Sequence, residues 1–235
     1  VHRFFLPAGC IDGKRVSIPP DQARQIRTVL RLRPDDRIVV LDNSGDEFVV
    51  RLLSFAEGIV EEQRRNKAEP STRIVLYQGM LKGSKMDFVL QKGTEIGVAG
   101  FVPVLMERSV AGEPGEARQR RYQTIVQEAA EQSGRGRIPE VSPATSLPDA
   151  LTAAEGPLVI PWEGETADHL RSLSIARGET MSLFIGPEGG LSAAEVDAAR
   201  RAGAHVVSLG RRILRAETAA IVAASLLLGA AGDLG

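Results

Sequence analysis

A chain of 235 residues, 43% apolar and 25% charged, can bury one large core or two small ones, which excludes a disordered or fibrous protein. With 29 basic against 30 acidic residues the net charge is −1, so contact with nucleic acid has to rest on local basic patches rather than on global charge. A single cysteine, Cys10, excludes an intramolecular disulfide and a Cys-ligated zinc site and suits a reduced, cytoplasmic setting.

Up to the polar run that begins at Glu61, the chain reads as short strands joined by turns. Arg3–Leu6, Arg15–Ile18, Arg37–Asp42 and Glu47–Phe55 carry β-branched or aromatic residues, with turn chemistry at Asp12-Gly13 and Ser44-Gly45. Asp21–Leu32 is the one helical stretch there, with Ala23, Ile26, Val29 and Leu30 at helical spacing. This pattern predicts a small β-barrel. Glu61–Thr72 is polar, unperiodic and contains a proline, so it reads as a linker and divides the chain into residues 1–68 and 72–235.

Beyond the linker the rhythm changes. Strand-length apolar runs at Arg73–Met80, Gly100–Met106, Pro157–Trp162, Ser182–Gly190 and His205–Gly210 are interspersed with helix-like stretches. The helices fall at Lys85–Ile96, Glu116–Gln132, Thr166–Ser174, Ala193–Ala202 and Glu217–Leu228. This order predicts an α/β domain with a mainly parallel sheet buried on both faces. The longest apolar run, Ala219–Gly232, is 14 residues and reads as a buried helix, short of the roughly 20 that span a bilayer. The amino terminus has no charged-then-apolar signal pattern, and the expectation is a soluble protein with no membrane partner.

Two segments carry chemistry. Gly186-Pro187-Glu188-Gly189-Gly190 follows an apolar strand, and Ser192 with Glu195 opens the next helix as a capping box. Ligands of open α/β sheets bind beyond the carboxyl ends of strands, where this loop falls; the alternative is a tight strand–helix turn. It matches neither the G-x-G-x-x-G fingerprint nor the G-x-x-x-x-G-K-[ST] loop, which disfavours a phosphate cradle. In the second segment, Leu209–Thr218, a strand ends in Gly210 and Arg211, Arg212 and Arg215 precede a long apolar helix. Cations at a helix amino terminus oppose the macrodipole, so they suit a surface that meets an anion better than they suit stability. Plain solvated charge is the alternative, strongest for Arg211 and Arg212.

Basic residues also gather near the start. From Arg3 to Arg37 eight Lys or Arg face four Asp, and Arg24, Arg27 and Arg31 share one helical face, as phosphate contacts would. Arg120, Arg121, Arg135 and Arg137 bracket another helix. No metal is expected, because His2, His169 and His205 are scattered, and no G-x-S-x-G nucleophile motif is present.

Leu81–Val98, Pro103–Val110, Ile125–Val141, Ile185–Val196 and Leu209–Ala220, with HRFFL and RTVLRLRPDD near the start, resemble the bacterial small-subunit ribosomal RNA uridine-N3 methyltransferases of the SPOUT superfamily. The resemblance runs nearly the whole chain. Asp35 stands where that family often has glycine, Leu191 where phenylalanine is common and Ala216 where threonine is frequent. It implies a SPOUT-type α/β domain with a carboxy-terminal trefoil knot, preceded by a small PUA-like β-barrel that binds RNA. It also implies a homodimer, S-adenosylmethionine as cofactor and 16S ribosomal RNA of the small subunit as substrate. The cofactor residues would be Pro161, Trp162, Glu163, Ile185, Gly186, Pro187, Glu188, Gly189, Gly190, Leu209, Gly210, Ile213, Leu214 and Thr218. Arg215 would stabilise the deprotonated uracil, and Glu217, with Glu128 behind it, would take the proton. The RNA-binding candidates are Arg3, Arg24, Arg27, Arg31, Arg33, Lys82, Arg108, Arg135, Arg211 and Arg212. The rivals are a SPOUT enzyme with another nucleotide target and a non-catalytic, RNA-binding ribosome-assembly factor.

Overall fold

Alternation of side chains along the first strands decides where the first core sits. A computed structural model describes residues 1–235, and the chain divides into two units, Val1–Glu69 with Ala130–Ile138, and Pro70–Ala129 with Pro139–Gly235. The first unit contains β1 (Arg3–Phe5), β2 (Ile11–Asp12), β3 (Arg15–Ser17), α1 (Pro20–Thr28), β4 (Arg37–Leu41), β5 (Asp46–Leu52) and β6 (Glu57–Arg65). Its six strands run in the order β1-β4-β5-β6-β3-β2, with β1 parallel to β4 and the other pairs antiparallel. Successive strand residues point to opposite faces. Phe4, Ile38 and Val40 therefore join Ile26 of α1 in one cluster, while Phe5, Val39 and Leu41 meet Ala130 and Ile138 on the other side.

Charge is managed inside this unit by two carboxylates. Glu47 is buried and accepts from Arg3, Arg64 and Asn66. Burial alone would raise its carboxyl, but the two guanidinium groups hold it below the usual carboxylate range. Glu69 accepts from the Arg135 guanidinium at 2.9 and 3.2 Å and from the N–H groups of Gly136 and Arg137.

The structure departs from the sequence pattern at two places here. β6 continues to Arg65, so the first half of the expected linker is a strand whose solvated side chains conceal it. α1 ends at Thr28, not Leu32, and Arg31 leaves the helix with a left-handed backbone (φ +55°), so it does not continue the Arg24 and Arg27 face. Asp35 also takes a left-handed backbone (φ +74°), the conformation a glycine adopts at least cost. Its carboxylate accepts from Arg51 at 2.8 Å, and its N–H donates to the Leu52 carbonyl.

The second unit holds β7 (Arg73–Gly79), α2 (Lys85–Ile96), β8 (Gly100–Leu105), most of α3 (Glu116–Ser133), β9 (Glu140–Val141), β10 (Thr145–Ser146), α4 (Leu147–Ala153), β11 (Leu158–Pro161), β12 (Thr180–Ile185), α5 (Ala193–Arg201), β13 (His205–Val207) and α6 (Ala216–Ala230). Its sheet runs β10-β8-β7-β12-β11-β13, with β9 beside β8, and every pair is parallel. β7 and β12 are almost continuously buried, as strands covered on both faces must be. No helix of the chain is long and apolar enough to cross a membrane.

The expected helix over Thr166–Ser174 is absent; only a 3₁₀ turn forms, at Leu170–Ser172. Glu165 takes the N–H groups of Thr166, Ala167 and Asp168, and the backbone at Asp168–Leu170 pairs with Ser208 instead. Tertiary pairing thus wins over local periodicity. α4, capped by Ser146, escaped the sequence reading, as did the two-residue strands β9 and β10.

The chain end is tied to the start of this unit. Asp233 accepts from the N–H groups of Ser71 and Thr72 and from the Ser71 hydroxyl. Burial alone would raise its carboxyl, but these donors lower it from 3.8 to about 2. The contribution, on the order of 2 kcal/mol, is present above pH 3.8 and is lost as pH falls toward about 2. Asp233→Asn should lower the thermal midpoint at neutral pH by roughly 2–4 °C per kcal/mol lost. The gap to the wild type should close in melts taken as the pH falls toward about 2; a gap that stays constant with pH would reject the assignment.

Candidate functional site

Four neighbouring parallel strands, β7, β12, β11 and β13, end at one edge of the second sheet, and the loops that follow them meet there. The loop after β12 is Gly186–Leu191. It enters α5 through a capping box in which Ser192 and Glu195 satisfy each other's N–H groups, and Glu195 also accepts from Glu107 N at 2.7 Å. Backbone crowding fixes the path of this loop. A Cβ on Gly79, the last residue of β7, would lie 2.6 Å from Pro187 N, so only glycine lets the two backbones approach. Gln78, fully buried, donates to the Gly186 carbonyl at 3.3 Å and to Gly79 O at 3.0 Å. Arg108 braces the far side by donating to the Gly189 carbonyl at 3.1 Å.

A cavity of about 290 Å³ opens between this loop and the segment Ile213–Glu217. Pro161, Glu163, Ile185, Gly186, Pro187, Glu188, Gly189, Gly190, Ile213, Leu214, Arg215 and Glu217 all line it, so the two chemistry-bearing segments face one space. A second cavity of about 120 Å³ shares Pro161, Glu163, Ile213 and Leu214 and adds Trp162, Leu209, Gly210, Arg211 and Arg212. Trp162 is steadied by the Arg200 guanidinium 5.8 Å from its ring centroid, and Arg200 pairs with Glu165 at 3.2 Å.

Electrostatics on the wall are mixed. Arg215 is the N-cap residue of α6, makes no side-chain cap and stays exposed. Glu217, in the first turn of α6, has a side chain only 14% exposed, and its Oε2 has no hydrogen-bond partner. Glu188 turns back toward α2, where its Oε1 accepts from Lys82 N at 3.0 Å and from Lys85 Nζ at 3.1 Å. Burial works to raise the Glu188 carboxyl, but the Lys82 N–H, its own N–H and Lys85 hold it below the usual range.

Several expected residues lie elsewhere. Thr218 is exposed on α6 and lines neither cavity, and Glu128 is exposed on α3, away from the cavity lining. Arg135 cannot offer itself to a phosphate, because its side chain is only 4% exposed and is spent on Glu69. Arg3 is spent likewise on Glu47. Arg24, Arg27, Arg31, Arg33, Lys82, Arg211 and Arg212 are exposed. Lys85, Gln78, Leu191 and Ala219 were not foreseen. Only Lys85 left a trace in the sequence, a cation on the first helical residue of α2, like Arg215 before α6.

The RNA methyltransferase domain family matches residues 67–228. The ribosomal RNA small subunit methyltransferase E of Bacillus subtilis is 30% identical over 227 residues, covering 90% of this chain and 88% of its own length. The protein of the same name from Synechocystis is 32% identical, over 94% of this chain and 75% of its own length. The crystal structure of ribosomal RNA small subunit methyltransferase E from Neisseria gonorrhoeae, bound to S-adenosylmethionine, superposes with a TM-score of 0.85 at 34% identity, over 95% of this chain and 94% of that one.

Gly79→Ala tests the crowding directly. The added methyl should displace the Pro187 backbone at a cost of about 1–3 kcal/mol, visible as a lower thermal midpoint. Gly83→Ala, where a Cβ meets nothing within 4 Å, should cost only what its left-handed backbone imposes. Equal losses at the two positions would count against the crowding.

Proposed function

Because the chain belongs to the RNA methyltransferase family, we propose that it transfers the methyl group of S-adenosylmethionine to N3 of a uridine in 16S ribosomal RNA of the small subunit. One observation carries the reading: Gly186–Gly190 and Ile213–Glu217 line a single cavity, with the exposed Arg215 among its residues.

The lining fits the cofactor. The wall combines loop backbone with apolar Leu191, Ile213 and Leu214, and it sets Glu163, the one lining carboxylate that Lys85 does not engage, where a ligand bearing ammonium and sulfonium charge would find it. When bound, S-adenosylmethionine supplies an activated methyl for in-line displacement. Backbone groups of Gly186, Gly189, Leu209, Gly210 and Leu214 are the proposed partners of its adenine and amino-acid parts. Arg215 is the proposed catalytic residue. Loss of the uracil N3 proton spreads negative charge over two flanking carbonyl oxygens, and a guanidinium beside them stabilises it. Glu217 is the proposed acceptor of that proton, since Glu128 lies outside the lining of this cavity.

The finer architecture belongs to the same reading. The first unit would be a PUA-like barrel, and the loops after β11, β12 and β13 would form a trefoil knot around the cofactor. RNA phosphates would meet the exposed Arg24, Arg27, Arg31, Arg33, Lys82, Arg211 and Arg212. Apolar side chains left open on the second unit (Ile213, 87% exposed; Leu226, 46%; Phe88, 44%) support a homodimer with the site at the subunit interface. A ribosomal RNA substrate implies the cytoplasm.

The deciding experiment incubates the protein with labelled S-adenosylmethionine and small ribosomal subunits that lack the modification, then digests the RNA to nucleosides. Label should appear in 3-methyluridine, and Arg215→Ala should reduce it by about 10²–10³-fold while cofactor binding persists. Label in another nucleoside would sink the uridine assignment, and absence of both label and cofactor binding would favour a non-catalytic RNA-binding factor. Dilution below the dimer dissociation constant should abolish turnover; full specific activity in a verified monomer would reject the shared site.

A further inference from the structure

We infer that Lys85 is a positioning residue for the cofactor cavity: its ammonium bridges Glu188 of the glycine-rich loop and Glu217 of α6 and so holds two walls of the cavity in register. The inference rests on the methyltransferase reading of that cavity. Lys85 Nζ lies 3.1 Å from Glu188 Oε1 and 4.0 Å from Glu217 Oε2, and all three residues line the cavity. The bridge joins the first turn of α2 to the loop after β12 and the first turn of α6, both more than one hundred residues further along the chain.

The placement has a local cost that a tertiary role offsets. An ammonium on the first helical residue opposes the helix dipole by about 0.3–1 kcal/mol. Glu188 gains the matching benefit by docking on that helix end, where the Lys82 N–H also serves it. Glu217 is the dependent partner. Its Oε2 is enclosed and has no hydrogen bond, so Lys85 is the cation that compensates it. The other charged groups of the lining are Glu163 and Arg215, neither of which pairs with Glu217 within 4.0 Å. Without the ammonium, two carboxylates would face each other across the wall, and the enclosed one would gain water only if the loop and α6 moved apart.

The test is calorimetric titration with S-adenosylmethionine alone, without RNA, so turnover plays no part. Lys85→Met should raise Kd about tenfold or more and should also lower the melting temperature of the cofactor-free protein, because the enclosed Glu217 carboxylate loses its cation. Lys85→Arg should restore most of the affinity. Lys85→Gln is the second variant should the methionine protein fail to fold. The double variant K85M/E217Q should bind better than the product of the two single losses predicts, because removing the glutamate charge removes the need for its partner. Multiplicative losses, or a Lys85→Met Kd within about twofold of the wild type, would overturn the bridge alone. A wild-type protein that does not bind S-adenosylmethionine would overturn the methyltransferase reading and the bridge with it.

Discussion

Everything at the candidate site depends on one close approach of backbones, where Gly79 at the end of β7 runs beneath Pro187. No side chain larger than hydrogen leaves room for that crossing, and the crossing sets the direction in which Gly186–Leu191 leaves the sheet. Gln78 below and Arg108 beside the loop then hold its carbonyls, and the capping box of α5 fixes its far end. A loop held at both ends and from beneath is already organised before any ligand arrives, which reduces the ordering cost of binding.

Charge is arranged on two levels. Enclosed carboxylates act as anchors for the backbone and for arginines that would otherwise be solvated: Glu47 and Glu69 in the first unit, Asp233 in the second. Arg3 and Arg135 are consumed in this way, so they leave the pool of cations that a polyanion could use. Arg24, Arg27, Arg31, Arg33, Arg211, Arg212 and Lys82 are exposed and form no ion pair, which is how a chain of net charge −1 presents basic surface locally.

The cavity wall follows different rules. The side chains of Lys85, Glu188 and Glu217 are partly enclosed there, where desolvation makes each pairing count for more than at an open surface. Lys85 is shared between two glutamates, while Arg215 is exposed at the start of α6 and has no ion pair.

The sequence by itself determined the α/β rhythm after Arg73, the strand-rich start, the glycine-rich loop with its capping box, and the run of arginines before α6. Each is a local property: side-chain period, turn chemistry and caps are decided by neighbours in the chain. The resemblance carried by the same motifs supplied the chemistry. Tertiary structure alone decided the rest. It turned Glu61–Arg65 into a strand through a partner fifteen or so residues away, replaced the helix expected at Thr166–Ser174 with pairing to Ser208, and buried Arg135 on Glu69. It also brought Lys85 to Glu188 and Glu217. These outcomes turn on which distant groups meet, and a solvated strand, a paired loop and a buried arginine carry no periodic signal of their own from which the meeting could be read.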